Sequence, residues 1–189
     1  GIIFLEFILP VYKTDCEKFL TLSKLRKEKK WNFEKKNWNC ILENCLHQNQ
    51  KNRWTIPQIL EQSQNVDFLF TMLPMHEHVN TALFGDRGAS ASLQKGAVVI
   101  DMSTINPTES DKIRTALEKK TISMIDAPVG RTSKEAREGK SLLMVGANKS
   151  DLETVRPLFD VLGDTIIDCG GPGTGVRMKI VNNYMTTIL

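Results

Sequence analysis

The stretch Val66-Asp67-Phe68-Leu69-Phe70-Thr71-Met72-Leu73, stopped by Pro74, decides how this chain is read. It is almost continuously apolar but far too short for a membrane span, and at this length a strand buried on both faces fits better than a helix. Working outward, His76 to Phe84 reads as a helix closed by Gly85 and Gly88. Ala97 to Met102 is a second strand ending in the polar pair Ser103-Thr104. A helix over Pro107 to Lys119 follows, with Asn106 as its N-cap, proline at its first position and Glu109 placed for a capping box. Ile122 to Asp126 is a third strand, cut by Pro128, and Ser141 to Val145 a fourth. A helix over Asp151 to Leu162 contains Pro157 and precedes a short fifth strand, Thr165 to Asp168. Glycines 170, 171, 173 and 175 then lead into a helix over Val176–Leu189. Upstream, Ile56 to Gln64 reads as a short helix with Pro57 in its first turn, and residues 14–27 as a short amphipathic one.

Strands alternating with helices predict an α/β layer with a mostly parallel sheet, the strands at 66–73, 97–102, 122–126 and 141–145 running parallel and residues 1–54 packing poorly against them. In such sheets ligands bind beyond the carboxyl ends of the strands. Here those ends carry Pro74, Ser103-Thr104 and Asp126-Ala127-Pro128.

The composition, 41% hydrophobic and 25% charged, is that of a globular protein, and the net charge of +3 is unevenly spread. Residues 1–54 hold 11 Lys/Arg against 6 Asp/Glu, a net of +5, leaving 14 against 16, a net of −2, for residues 55–189. The basic character thus belongs to the front segment, where the run Lys24 to Lys30 reads as a solvated face or arm. A nucleic-acid partner is not expected, because the patterned part has no basic stripe. The four cysteines, at 16, 40, 45 and 169, form neither a zinc framework nor a disulfide scaffold, so a reducing, cytoplasmic setting is expected. The opening Gly1 to Pro10 is short, interrupted by Glu6 and without a basic leader, which reads as neither signal peptide nor membrane anchor.

Several residues have two readings. Lys179 and Asn183 are four apart and share a helical face; an ammonium beside an amide can hold and protonate a substrate oxygen, or both are surface residues. Arg131-Thr132-Ser133 after Gly130 makes an anion clamp of a planar guanidinium and two hydroxyls, or a polar loop in which Ser133 caps a helix starting at Lys134. The Ser103 and Thr104 hydroxyls cap the helix that follows or face a ligand. His76 and His78 are two apart, with no acidic or cysteine partner at ligand spacing, so no metal is expected. Cys169 reads as a small packing residue, having no base beside it.

Four motifs in order carry a resemblance: Thr71-Met72-Leu73-Pro74, Asp101-Met102-Ser103-Thr104 with Pro107, Asp126-Ala127-Pro128-Val129, and Gly173-x-Gly175 followed by Lys179-x-x-x-Asn183. Together they resemble the 3-hydroxyisobutyrate dehydrogenase and 6-phosphogluconate dehydrogenase-like superfamily. The resemblance implies a Rossmann-like NAD(P)-binding domain, incomplete here, over 55–172. It also implies that 173–189 begins a helical domain, with 1–54 unassigned and poorly ordered or aberrant. It implies that Leu73, Pro74 and Thr104 border the cofactor, that Lys179 is the catalytic acid/base, and that Ser103 and Asn183 meet substrate. Where family members commonly read Asp-Ala-Pro-Val-Ser-Gly-Gly, this chain reads Asp126-Ala127-Pro128-Val129-Gly130-Arg131-Thr132-Ser133. That version is similar to the branch that reduces a sulfonated aldehyde with NADH. It implies a small anionic aldehyde or hydroxyacid as substrate, with Arg131, Thr132, Asn182 and Thr186 around its anionic head, and a homo-oligomeric enzyme. Hydroxyisobutyrate, tartronate semialdehyde or succinic semialdehyde chemistry stays open, as does a domain serving only in protein interaction.

The glycine-rich turn that receives a dinucleotide pyrophosphate is not legible: the only glycine before Gly85 is Gly1. Weak or absent NAD(H) binding is therefore expected of this polypeptide, which also ends inside the Lys179 helix.

Overall fold

The computed structural model describes residues 2–6, 67–86 and 88–188. Seven strands form one sheet: β1 (Ile2–Glu6), β2 (Phe68–Met72), β3 (Val98–Asp101), β4 (Ser123–Asp126), β5 (Val129–Gly130), β6 (Ser141–Gly146) and β7 (Gly163–Gly170). The described helices are α1 (His76–Phe84), α2 (Pro107–Glu118), α3 (Ser133–Arg137), α4 (Lys149–Leu162) and α5 (Thr174–Ile188). The helices expected over 14–27 and 56–64 lie outside the described residues.

Strands β1 to β4 are parallel neighbours, aligned so that Leu69, Val99 and Met124 sit side by side, as do Phe70, Ile100 and Ile125. Successive side chains point to opposite faces, and this divides the core in two. Leu69, Val99 and Met124 pack with Val79 and Leu83 of α1 and Ile113 and Leu117 of α2. Phe70, Ile100 and Ile125 pack with Leu143 and Val145 of β6 and with Val155, Leu158 and Phe159 of α4. Apolar groups on both faces explain why the Phe68–Met72 region reads as a continuous run rather than an alternation.

Two expectations are corrected. The strand at 141–146 is not parallel to those before it: β6 pairs antiparallel with β5 and, through Asp126 and Gly146, with β4. The reason is connection length. Only ten residues, 131–140, separate β5 from β6, whereas a parallel crossover needs about a dozen or more. The 14-residue α4 restores a crossover, and β7 is parallel to β6. The second concerns only the start of the front segment, which was expected to pack poorly; residues 7–54 lie outside the described residues. Ile2–Glu6 pairs in parallel with β2 along its whole length, from Ile2 beside Phe68 to Glu6 beside Met72.

Local signals fare unevenly. Asn106 caps α2 by accepting from the Thr108 N–H at 2.8 Å. Glu109 does not close a capping box there; its carboxylate meets Lys112 at 2.8 Å. A capping box forms instead at α3, where Thr132 rather than Ser133 is the cap and Glu135 completes it.

Candidate active site

The site is built at the carboxyl ends of β2, β3 and β4, where two aspartates stand side by side in register, Asp101 beside Asp126. Both are buried, at 1% and 3% exposure. Asp101 Oδ1 accepts from the Thr71 hydroxyl at 2.9 Å and from the Ser103 N–H at 3.1 Å. The Ser103 hydroxyl in turn accepts from the Leu73 N–H at 2.9 Å. These bonds tie the turn after β2 to the turn after β3. Burial pushes the Asp101 carboxyl up from its ordinary range, its hydrogen bonds pull against that, and the neighbouring Asp126 adds to the rise.

Asp126 reaches across to the start of α5. Its Oδ1 accepts from the Gly173 N–H at 2.6 Å and its Oδ2 from the Val176 N–H at 2.7 Å. Burial raises this carboxyl too, opposed by the backbone donors of Val176, Gly173 and Gly175. The approach is close enough to require glycine. A Cβ on Gly175 would lie 2.3 Å from the Met144 carbonyl oxygen and 2.7 Å from that of Asp126, and one on Gly146 would lie 2.6 Å from Asp126 Oδ1. A second tether joins α5 to α2. Arg177 meets the Asp111 carboxylate at 2.6 Å and donates to the Gly173 carbonyl at 2.8 Å, and Asp111 also binds Arg114 at 2.9 Å.

The residues expected at the site fall into three groups. Leu73 and Ser103 are brought together by their hydrogen bond; Leu73 packs its side chain in the α1–α2 core, while Pro74 and Thr104 beside them are exposed. Lys179, Asn182, Asn183 and Thr186 share α5. Lys179 is half-buried, and desolvation lowers its ammonium from the ordinary lysine range. The Thr186 hydroxyl donates to the Asn183 carbonyl at 3.0 Å, within the helix.

Arg131 and Thr132 make up the third group, and each side chain has partners of its own. Arg131 donates to the Lys140 carbonyl and Asp164 Oδ1, both at 2.6 Å, and to the Thr165 hydroxyl at 2.8 Å. The Thr132 hydroxyl is engaged with Glu135. Arg131 also has φ at +69°, a conformation uncommon outside glycine. Cys169 is half-buried, with its thiol pushed up by burial and by Asp126 and Asp168, which suits a packing residue and not a nucleophile.

The sequence reading missed Asp101, Asp126, Asp111 and Arg177. A usable signal existed for Asp126: an acidic residue at a strand end, paired with glycines ahead of a helix that needs its first N–H groups satisfied.

No group of three His, Cys, Asp or Glu residues is placed to hold a metal ion among the described residues. For a nicotinamide dinucleotide the fit is partial. The polar turns after β2 and β3 offer exposed Pro74 and Thr104 to a ligand beyond the strand ends. The glycine-led terminus of α5 does not suit the pyrophosphate, because Asp126 already takes its N–H groups.

A parallel strand layer flanked by helices, with its polar turns at the strand carboxyl ends, defines a Rossmann-like nucleotide-binding fold. A profile of the NAD binding domain of 6-phosphogluconate dehydrogenase matches residues 28–171, and the chain belongs to that family, among the β-hydroxyacid dehydrogenases. It is similar to the 3-sulfolactaldehyde reductase of Escherichia coli (strain K12), with 42% identity over 127 residues, 67% of this chain and 43% of the relative. It is 36% identical over 126 residues to an NAD-dependent L-serine dehydrogenase of Pseudomonas aeruginosa, covering 67% of this chain and 42% of that one. Among solved structures, the Mycobacterium tuberculosis 3-hydroxyisobutyrate dehydrogenase with L-serine superposes with a TM-score of 0.63 at 30% identity, over 68% of this chain and 43% of the other. The chain thus spans less than half the length of these relatives. No described helix is long and apolar enough to cross a membrane.

Proposed function

We propose that this domain serves a cytoplasmic, homo-oligomeric, NADH-dependent reductase that converts 3-sulfolactaldehyde to 2,3-dihydroxypropane-1-sulfonate. The substrate supplies an aldehyde at one end and a permanent anion at the other. A bound nicotinamide cofactor would supply the hydride, so the protein's task is to hold and protonate the substrate oxygen. Lys179 donates the proton that oxygen needs, and Asn183, one turn along the same face, holds the oxygen in place. Partial burial makes Lys179 a better donor than a solvated lysine, since its charged form is the one desolvation disfavours. Pro74 and Thr104 would flank the nicotinamide of a bound cofactor, and Ser103 stands beside them with its hydroxyl accepting from Leu73. Arg131 and Thr132 take the sulfonate with Asn182 and Thr186; Arg131 must then exchange Asp164 for the ligand, trading one anion for another.

The observation that carries the reading is the Gly130-Arg131-Thr132-Ser133 loop in a chain 42% identical to 3-sulfolactaldehyde reductase. The test compares kcat/KM for 3-sulfolactaldehyde and for methylmalonate semialdehyde in the whole protein and its Arg131→Ala variant. Loss of a charge-assisted bond worth ~1.5–3 kcal/mol predicts roughly a 10- to 100-fold fall for the sulfonate, with the carboxylated substrate less affected. An unchanged ratio moves the hydroxyisobutyrate-type reading ahead.

A further inference from the structure

We propose that Asp126 is the positioning residue for Lys179: a buried carboxylate at the end of β4 that fixes the first turn of α5 and so sets where the lysine projects. The inference rests on the reading of Lys179 as the proton donor, and goes beyond it by naming what holds that lysine.

A helix N-terminus leaves its first N–H groups without partners inside the helix, and those of α5 sit against the sheet, where Gly175 is buried and touches the backbone of both β4 and β6. The two oxygens of Asp126 meet the Gly173 and Val176 N–H groups at 2.6 and 2.7 Å. A carboxylate is also the charge that the positive end of a helix favours. The bond geometry is two-pronged, so it restrains rotation of α5 about its axis as well as its distance from β4. Lys179 is three residues beyond Val176, less than one turn, so a rotation at the anchor is carried to it almost undiminished. Asn cannot replace this anchor, because its amide nitrogen would face one of the two N–H donors. Gly146, Gly173 and Gly175 are the space-makers for the same contact. A Cβ at the first would strike Asp126 Oδ1 at 2.6 Å, and Gly173 takes φ +86°. The Gly-x-Gly that opens this helix therefore serves an internal anion.

The neighbouring Asp101 is the natural control. It is equally buried and stands beside Asp126 in register, but its bonds go to Thr71 and Ser103 and none to α5. The experiment is competitive acylation of lysines across a pH series in the full chain, read peptide by peptide by mass spectrometry. It needs neither cofactor nor substrate, so it can fail while the functional reading stands, and the reverse. In the native protein Lys179 is expected to titrate below the ordinary lysine range, since desolvation disfavours its ammonium. In Asp126→Asn its labelling midpoint should move up toward the ordinary lysine range and its labelling rate should rise. In Asp101→Asn it should stay where it is, even if overall stability falls as far. An unmoved Lys179 in folded Asp126→Asn, or an equal shift in both variants, overturns the proposal. Should Asp126→Asn fail to fold, amide hydrogen exchange of the native chain decides. The Gly173 and Val176 N–H groups should be protected, and free exchange at both would overturn the anchor.

Discussion

Replacing Gly175 by alanine sets two effects against each other, and the structure says which prevails. Gly175 is the second residue of α5, and alanine in a helix is favoured over glycine by up to about 1 kcal/mol. At this position the new methyl would stand 2.3 Å from the Met144 oxygen, 2.7 Å from the Asp126 oxygen and 2.8 Å from the Gly146 nitrogen. All three are backbone atoms of two different strands, so no flexible side-chain tip can move aside. Overpacking of this kind costs typically ~1–3 kcal/mol, and contact with main chain places it toward the upper end. The expected net is a loss of roughly 1–2 kcal/mol, which lowers the urea midpoint by about 0.5–1 M for a chain with an m-value near 2 kcal/mol/M. Gly171→Ala supplies the contrast: nothing lies within 4 Å of its Cβ, and removing a glycine from a loop whose backbone tolerates alanine gains about 0.4–1 kcal/mol through the unfolded state. Equilibrium urea unfolding of both variants is the assay. A neutral or stabilised Gly175→Ala would refute the close approach of α5 to β4 and β6.

Two further predictions concern cofactor and pH. Calorimetric titration of this chain with NADH should show no saturable binding at micromolar concentrations, since no glycine stands between Gly1 and Gly85 to build the turn that receives a pyrophosphate; a stoichiometric isotherm would mean that a phosphate cradle is built in another way. Stability should respond to pH in opposite senses at two carboxylates. Asp111 is held low by Arg177, with Arg114 assisting, so its contribution is present above the ordinary carboxylate range and lost as pH falls through its depressed value. The deficit of Asp111→Asn in urea unfolding should therefore be largest near neutrality and vanish in acid. Asp101 is raised by burial, so what it contributes is fully present below the ordinary range and lost as pH rises through its elevated value. The deficit of Asp101→Asn should be largest in acid and shrink toward neutrality. Deficits that ignore pH would contradict both assignments.

The sheet was legible wherever a signal was local. Apolar runs of strand length at 66–73, 97–102 and 122–126 correspond to β2, β3 and β4, and His76–Phe84 is a helix as read. Strand direction was not legible in the same way, because it depends on a connection and not on a strand. Reading β6 as parallel overlooked that ten residues, five of them in α3, are too few for a crossover. β1 was hidden differently: Ile2–Glu6 was weighed only as a leader or anchor, and its partner β2 lies more than sixty residues away. At the site, residue types pointed to Lys179 and Ser103. Asp101 and Asp126 stood in the motifs but were given no role of their own, because what marks them is burial, and a carboxylate is ordinarily found outside.

Those two carboxylates show what the fold gives up and what it obtains. Burying Asp126 is unfavourable without partners, and burying the first N–H groups of α5 is unfavourable without acceptors. Joined, each satisfies the other, and the pair has meaning only when β4 and α5 have met. The anchor also depends on the hairpin that the sequence concealed. β5 continues past the end of β4, and β6 returns antiparallel to it until Gly146 stands beside Asp126. β7 follows β6 down until Gly170 stands beside Gly146. The chain therefore leaves the sheet at the level of Asp126, and α5 starts there. A helix terminus that in other settings would receive a phosphate is committed to an internal carboxylate. The anion-binding capacity of this glycine cluster is thus spent on holding the lysine helix against the strand ends, where the polar turns of β2 and β3 also converge.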